Sequence, residues 1–358
     1  MRDDADLLMA LLRAESPSGA EGPAVREFVR IGTELGYRAS IDAAGNGIAR
    51  RGSGRPQILY LGHIDTVPGA LPVRRDGDRV HGRGACDAKG PLLAALLAGA
   101  ASSPEEPGEI VVAACVGEET DSRGARALLP HWGPDAVIAG EPSGWDGIAI
   151  GYKGDLRLRA RFSGSREHLS SATPTTAERA FAWVAAVRAE WEEPPAAERF
   201  RRLTGKLVSF RTEEVGDAER AEVVVDLRLP PGVSAEELER RIRAREGPEA
   251  VETIARIDAF ESARTDPVVR ALVAGVRSVG GTPTLYRKGA TSDLNLVAPA
   301  WGHGGAAYGP GDPHLDHTDR EALDLADLRR ATRALGVAFA ELRKGPPVTP
   351  RRSDDGPG

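Results

Sequence analysis

Histidines and carboxylates set beside glycine-rich turns carry the chemistry legible in this sequence. His63 and Asp65 stand two apart in Gly62-His63-Ile64-Asp65-Thr66-Val67-Pro68, at the end of an apolar run. His63 reads as a zinc ligand, with Asp65 holding the other ring nitrogen and so fixing the tautomer. The plainer reading is a surface His beside an Asp in a turn. In Gly82-Arg83-Gly84-Ala85-Cys86-Asp87-Ala88-Lys89-Gly90 the glycines permit sharp turns that bring Asp87 inward. A carboxylate there suits the bridge between two divalent ions; the plainer reading is a helix cap. Cys86 reads as a small buried residue. Glu118 and Glu119 follow another apolar run in Gly117-Glu118-Glu119-Thr120. Adjacent acids at a strand end are costly unless paired or bound to metal. Alternation along the strand would turn one to metal and its neighbour to substrate. Glu119 is assigned to metal and Glu118 to proton transfer, against two exposed acids in a loop. Glu141, in Gly140-Glu141-Pro142, is a further strand-end carboxylate, and the glycine-rich segment 309–321 carries His314 and His317. Together the five segments supply two imidazoles and three carboxylates, a ligand set suited to zinc and compatible with cobalt or manganese.

The elements that must position these groups alternate between strand and helix. Residues 4–14 and 23–36 read as amphipathic helices. QILYLGH at 57–63, EIVVAACVGEE at 109–119 and DAVIAGEP at 135–142 read as buried strands, with an alanine-rich helix at 90–101 between the first two. This is an α/β pattern with a largely parallel sheet. Ligands bind beyond the carboxyl ends of such strands, where His63, Glu118, Glu119 and Glu141 fall. After residue 152 the pattern changes to strand 155–164, helix 174–191, two strands, helix 234–246 and a strand near 250–257. That order predicts a small inserted α+β sandwich. The α/β pattern resumes with helices at 267–279 and 323–342, and the tail 346–358 is expected to be disordered.

Composition excludes several classes. The 358 residues predict two domains. A net charge of −6 with both signs interspersed argues against nucleic-acid binding. Two cysteines cannot build a disulfide framework. No stretch approaches the roughly 18 apolar residues of a membrane span, and acids stand where a signal peptide needs basic residues. A cytoplasmic location is expected.

GHIDTVP, GRGACDAKG, GEET, GEP and GPG…DHTDRE resemble, in order and spacing, the M20 metallopeptidase family of acetylornithine deacetylase, succinyl-diaminopimelate desuccinylase and carboxypeptidase G. The resemblance covers nearly the whole chain. It implies a zinc-peptidase-like catalytic domain at 1–152 and 267–345, with a lid and dimerisation domain at 153–266. It implies two zinc ions per subunit, with cobalt as a substitute: His63 and Glu141 on one, Glu119 and His317 on the other, Asp87 bridging. It further implies Glu118 as general acid/base, supported by Asp65, and a cis Asp87–Ala88 peptide. The family's histidine precedes a short stretch ending in Glu, which His317…Glu321 fits better than His314. His168, in GSREHLSSATP, matches a lid histidine that reaches the partner subunit's site in a homodimer and stabilises the oxyanion; Leu169 departs from the usual pattern there.

GEPSGWDGIAIGYKG at 140–154 and RKGATSDLN at 287–295 further resemble the branch that hydrolyses the lysine or ornithine adduct of a LysW-type amino-group carrier protein in amino-acid biosynthesis. Ala290 and Leu294 depart from that branch's Gly-Thr-Ser-Asp-Met-Asn. The match implies Arg287 or Lys288, with Thr291 and Ser292, as the holder of the substrate α-carboxylate. It also implies an acidic carrier as substrate, for which the basic run Arg199, Arg201, Arg202, Lys206 and Arg211 offers a docking face; a solvated face is the plainer reading. N-acetylornithine and succinyl-diaminopimelate are the alternative substrates. A non-catalytic metal-binding homologue is the alternative of another class, and the intact Glu118/Glu119 pair argues against it.

Overall fold

A computed structural model describes residues 3–166, 168, 170–193 and 195–345. The tail expected to be disordered lies outside these residues, as does Leu169. The chain divides into two units. The first holds residues through Ile150, Ser262–Tyr286 and the chain from Ser292 on; the second holds Gly151–Glu261 and Arg287–Thr291.

The central strands of the first unit are short, apolar and parallel. Gln57–His63 lies between Gly108–Cys115 and Ala136–Gly140 and runs parallel to both. His63 stands opposite Cys115, and Gly62 opposite Gly140. The three strands therefore end level, and the residues that follow them leave from one sheet edge. Every residue of Gly108–Cys115 is buried, as a strand covered on both faces requires. The flank is antiparallel, which the sequence does not foretell: Arg38–Ile41 pairs with Gly47–Ser53, and that strand with Gly108–Cys115. Arginines disguise these strands, and Arg38 and Arg50 both end on Glu109.

The helix Lys89–Ala100 is buried almost throughout and packs against the closing helix Leu325–Arg343. Leu92 sits so close to the sheet that a Cβ on Gly62 would come within 2.8 Å of it, so glycine is needed beside His63. The Lys89 ammonium is buried, donating to the carbonyls of Leu11 (3.2 Å) and Ala14 (2.8 Å) where the first helix, Asp4–Arg13, ends. This satisfies carbonyls that a helix C-terminus leaves open.

The second unit is an antiparallel sheet in the order Thr204–Val215, Ala218–Leu229, Gly154–Ser165, Ala250–Ile257. Its helices are Thr176–Arg188, opened by a Thr175/Glu178 capping box, and Ala235–Arg243. Leu156, Leu158, Phe162, Trp183, Val225 and Leu238 belong to its separate core. The sequence assigns all of 267–345 to the catalytic domain, yet residues 287–291 run with the second unit. The Lys153 amide donates to the Lys288 carbonyl (3.3 Å), Arg287 pairs with Glu261 (2.5 Å), and Arg228 donates to the Thr291 hydroxyl (3.1 Å). Among the described residues no helix is long and apolar enough to cross a membrane.

Candidate metal centre

Asp87 is the centre of the cluster. One carboxylate oxygen lies 3.0 Å from His63 Nε2 and the other 3.0 Å from His317 Nε2. His317 Nε2 is also 3.0 Å from Glu119 Oε1. Candidate ligand atoms of His63, Asp87 and Glu119 all lie within 4.8 Å of one another. A carboxylate set between two imidazoles, with a further carboxylate on one of them, is a donor set that fits a pair of divalent cations. Four carboxylates (Asp87, Glu118, Glu119, Glu141) against two imidazoles leave this edge short of positive charge, which favours the same occupants.

Local structure explains how each donor arrives. His63 ends its strand, and its Nδ1 lies 2.9 Å from the Asp65 backbone oxygen. The Asp65 carboxylate, expected to hold that nitrogen, stays 3.6 Å away. It accepts instead from the amides of Glu118 and Glu119, both at 3.1 Å, and from the Ser18 hydroxyl at 2.7 Å. Asp65 thus fixes the turn that carries both glutamates. That turn also corrects the expectation of alternating strand residues: the strand stops at Cys115, and Gly117 (φ +77°) begins a tight turn whose carbonyl accepts from the amides of Thr120, Asp121 and Ser122. Amide hydrogen bonds, not the strand pleat, fix the backbone that carries Glu118 and Glu119.

Asp87 does not cap its helix; the cap position is Ala88, without a side-chain bond. The Asp87–Ala88 peptide is cis. The Asp87 amide donates to Glu321 (3.1 Å), as does that of Cys86 (3.0 Å), while the other Glu321 oxygen takes Arg83 at 2.9 Å. Arg83 also donates to the Thr318 carbonyl at 3.0 Å, so this buried pair ties the Asp87 turn to the His317 loop. Sequence reading uses Glu321 only to choose between histidines and misses this role. The choice itself agrees with the geometry, since His314 is exposed and paired with Asp312 at 2.9 Å. His317 has φ +60°, a left-handed conformation uncommon outside glycine. Glu321→Ala should leave Arg83 and two amides unsatisfied and lower the stability of the metal-free protein by about 3 kcal/mol. Thermal unfolding reads this, and a change under about 0.5 kcal/mol would contradict it.

Glu141 follows the strand Ala136–Gly140 at the same edge, and its charge acts on Glu118. Burial pushes the Glu118 carboxyl well above its usual range; His63 opposes this, and Glu141, Asp293 and Glu119 add to it. His63 is raised as well: burial disfavours its cation, but the nearby Asp65 carboxylate and the hydrogen-bonded Asp87 carboxylate outweigh burial. Hydrogen bonds to Asp87 and Glu119 push His317 up to about 10.

Of the other sequence-predicted residues, His168, Arg287, Lys288 and Thr291 belong to the second unit and Ser292 to the first. His168 belongs to the second unit; it is exposed, with Nδ1 2.7 Å from the Ser170 hydroxyl. In the same unit Glu261 offsets the charges of Arg287 and Arg201, and Lys288 lies over the Tyr152 ring at 5.9 Å. Thr291 accepts from Arg228, while Ser292, in the first unit, has a buried hydroxyl without a hydrogen-bond partner. In the basic run, Arg202 lies 3.6 Å from Glu192 and from Glu198.

Comparison with known proteins agrees with this geometry. The profile of peptidase family M20/M25/M40 matches residues 59–341. The chain belongs to the M20 family. A LysW-lysine hydrolase of Deinococcus radiodurans is 37% identical over 95% of the chain and 97% of its own length. A LysW-lysine/LysW-ornithine hydrolase of Saccharolobus islandicus is 27% identical over 94% and 95%. Among solved M20 structures, a metallo-carboxypeptidase from Sulfolobus solfataricus superposes with a TM-score of 0.80 at 17% identity, covering 96% of the chain and 99% of its own. A dinuclear metal binding peptidase from Bacillus subtilis gives 0.69 at 14%, covering 95% and 97%. At such identities the M20 structures show the fold alone.

Proposed function

We propose that this protein is a two-metal amide hydrolase that releases L-lysine, or L-ornithine, from a LysW-type amino-group carrier protein. The Asp87 carboxylate set between His63 and His317 carries the metal half of the reading; the names of the relatives support the carrier half. Zinc fits the donors, with cobalt as a substitute. His63, Glu141 and Asp87 would hold one ion, and Glu119, His317 and Asp87 the other. When bound, the ions polarise the scissile carbonyl and acidify water. Glu118 takes a proton from the attacking water as the C–O bond forms and delivers it to the amine as the C–N bond breaks. Asp65 holds Glu118 in place through its amide. His168, donated by a partner subunit of a homodimer, would stabilise the oxyanion. Arg287 or Lys288, with Thr291 and Ser292, would orient the α-carboxylate.

The sign of the pH effect on metal binding follows from the two imidazoles. Neighbouring carboxylates raise both above the ordinary imidazole range and so favour their protonated forms, and both must be neutral to bind metal. Zinc binding should release about two protons, so affinity falls as pH falls. Calorimetric titration in buffers of different ionisation enthalpy counts them; fewer than one would contradict the ligand assignment.

Carrier docking has its own test. Arg199, Lys206 and Arg211 have no carboxylate partner among the described residues, unlike Arg201 and Arg202. Reversing the three to Glu should raise KM for an acidic carrier adduct about tenfold at low salt and leave a small amide unaffected. Equal changes for both substrates would reject docking on this face.

A further inference from the structure

Asn46 stands in the hairpin between Arg38–Ile41 and Gly47–Ser53 and is fully buried. Its carboxamide bonds to main-chain groups on both sides of the turn that presents Glu118 and Glu119. Oδ1 accepts from the Val116 amide at 3.1 Å, and Nδ2 donates to the Gly124 carbonyl at 3.1 Å. Val116 immediately precedes Gly117, where the turn begins. Gly124 follows the turn, in the helix Arg123–Leu128. These two residues also meet directly, the Gly124 amide donating to the Val116 carbonyl at 2.9 Å. They form a neck, and the Asn46 side chain bridges it. The neck is tight: a Cβ on Gly124 would lie 2.3 Å from Asn46 Oδ1 and 2.5 Å from the Val116 nitrogen.

The chemistry of the position calls for an amide. Strand pairing beside this turn reaches Gly47 opposite Ala114, and the Asn46 oxygen supplies the acceptor for the Val116 amide beyond that rung. A buried amide left without an acceptor is costly. Nδ2 also donates to Asp42 at 2.9 Å. A carboxylate only accepts, so Asp42 fixes which end of the amide faces it. A carboxylate at 46 would match the size and still accept from Val116, but it could not donate to Gly124 or to Asp42. Asp65, for its part, fixes the middle of the same turn through the amides of Glu118 and Glu119.

We propose that Asn46 is a positioning residue of the metal centre: it closes the neck of the turn 117–123, and so sets the placement of Glu119 as ligand and Glu118 as proton carrier. This rests on the roles given to those glutamates above. Asn46 touches neither carboxylate and acts only through the main chain that carries them.

The test uses Asn46→Ala, Asn46→Asp and Gly124→Ala in the full chain, with Val276→Ala as control. Zinc affinity is read by chelator competition, kcat and KM with a hydrolysed amide, and stability by thermal unfolding. Asn46→Ala should weaken binding of one zinc ion and lower kcat, each about 10–100-fold, with KM nearly unchanged. Asn46→Asp should lose at least as much, because the missing donors matter and not the volume. Gly124→Ala wedges the same neck without altering Asn46. Alanine is the better helix former, so a role confined to the helix predicts no loss there, whereas a role for the neck predicts the same fall in zinc affinity and kcat. The proposal stands or falls on this variant if Asn46→Ala does not fold. Val276, buried in the helix Pro267–Ser278, lies outside the turn. Val276→Ala should lower the unfolding temperature and leave zinc affinity and kcat within a few-fold of wild type. Wild-type zinc affinity and kcat in Asn46→Ala, in Asn46→Asp or in Gly124→Ala would overturn the proposal. So would losses in Val276→Ala equal to theirs at equal stability, since Asn46 would then act through general stability alone. If the wild type hydrolyses no amide, the functional reading fails, while the zinc affinities still decide the role of Asn46.

Discussion

Glu118→Gln should leave both metal ions bound and slow hydrolysis about 10²–10⁴-fold. The Glu118 amide is held by Asp65 at 3.1 Å, and glutamine leaves that bond intact. Among the described residues the Glu118 side chain makes no hydrogen bond to His63, Asp87, Glu119 or His317, so its amide analogue should not disturb the cluster. What the substitution removes is a proton acceptor whose basicity is raised by burial and by Glu141, Asp293 and Glu119 nearby. A raised proton affinity suits a group that must take a proton from water and return it to an amine near neutral pH. Metal content and kcat measured on one preparation decide it. Loss of metal would make Glu118 a ligand; turnover within tenfold of wild type would remove it from the proton path.

Asp87→Ala should abolish metal-dependent stabilisation as well as turnover. Asp87 meets both imidazoles, so its loss separates the two halves of the site. Metal that binds the folded state alone stabilises it by about 2.7 kcal/mol at a hundredfold excess over Kd. Wild-type thermal unfolding should therefore move up as zinc is added, and that of the variant should not. The metal-free variant should fold, because Glu321 still receives the amides of residues 86 and 87 and the Arg83 guanidinium. A variant that still binds two zinc ions, with the wild-type rise in unfolding temperature, would displace Asp87 from the bridge.

The candidate donors are legible in the sequence because each sits in a short glycine-containing segment, most of them at the end of an apolar run. His63, Asp87, Glu119 and His317 converge, as their spacing implied. The reasons were less legible than the residues. Glu118 and Glu119 looked like strand positions because VVAACV runs straight into them, but Gly117 breaks the strand first. Glu321 holds the Asp87 turn across 234 positions of chain, and local pattern carries no sign of such a pairing. Arg287 looked like a free cation for a carboxylate because Glu261 is distant in sequence. The antiparallel flank escaped notice because its strands carry arginines where apolar residues signal burial.

The most direct measurement compares hydrolysis of carrier-linked lysine and of N-acetylornithine by the zinc-loaded protein. The expected result is strong preference for the carrier adduct, lost on chelation and restored by zinc. Preference for N-acetylornithine would contradict the carrier reading while leaving the metal centre and Glu118 in place. Hydrolysis of the adduct that persists after complete removal of metal would contradict the central claim itself.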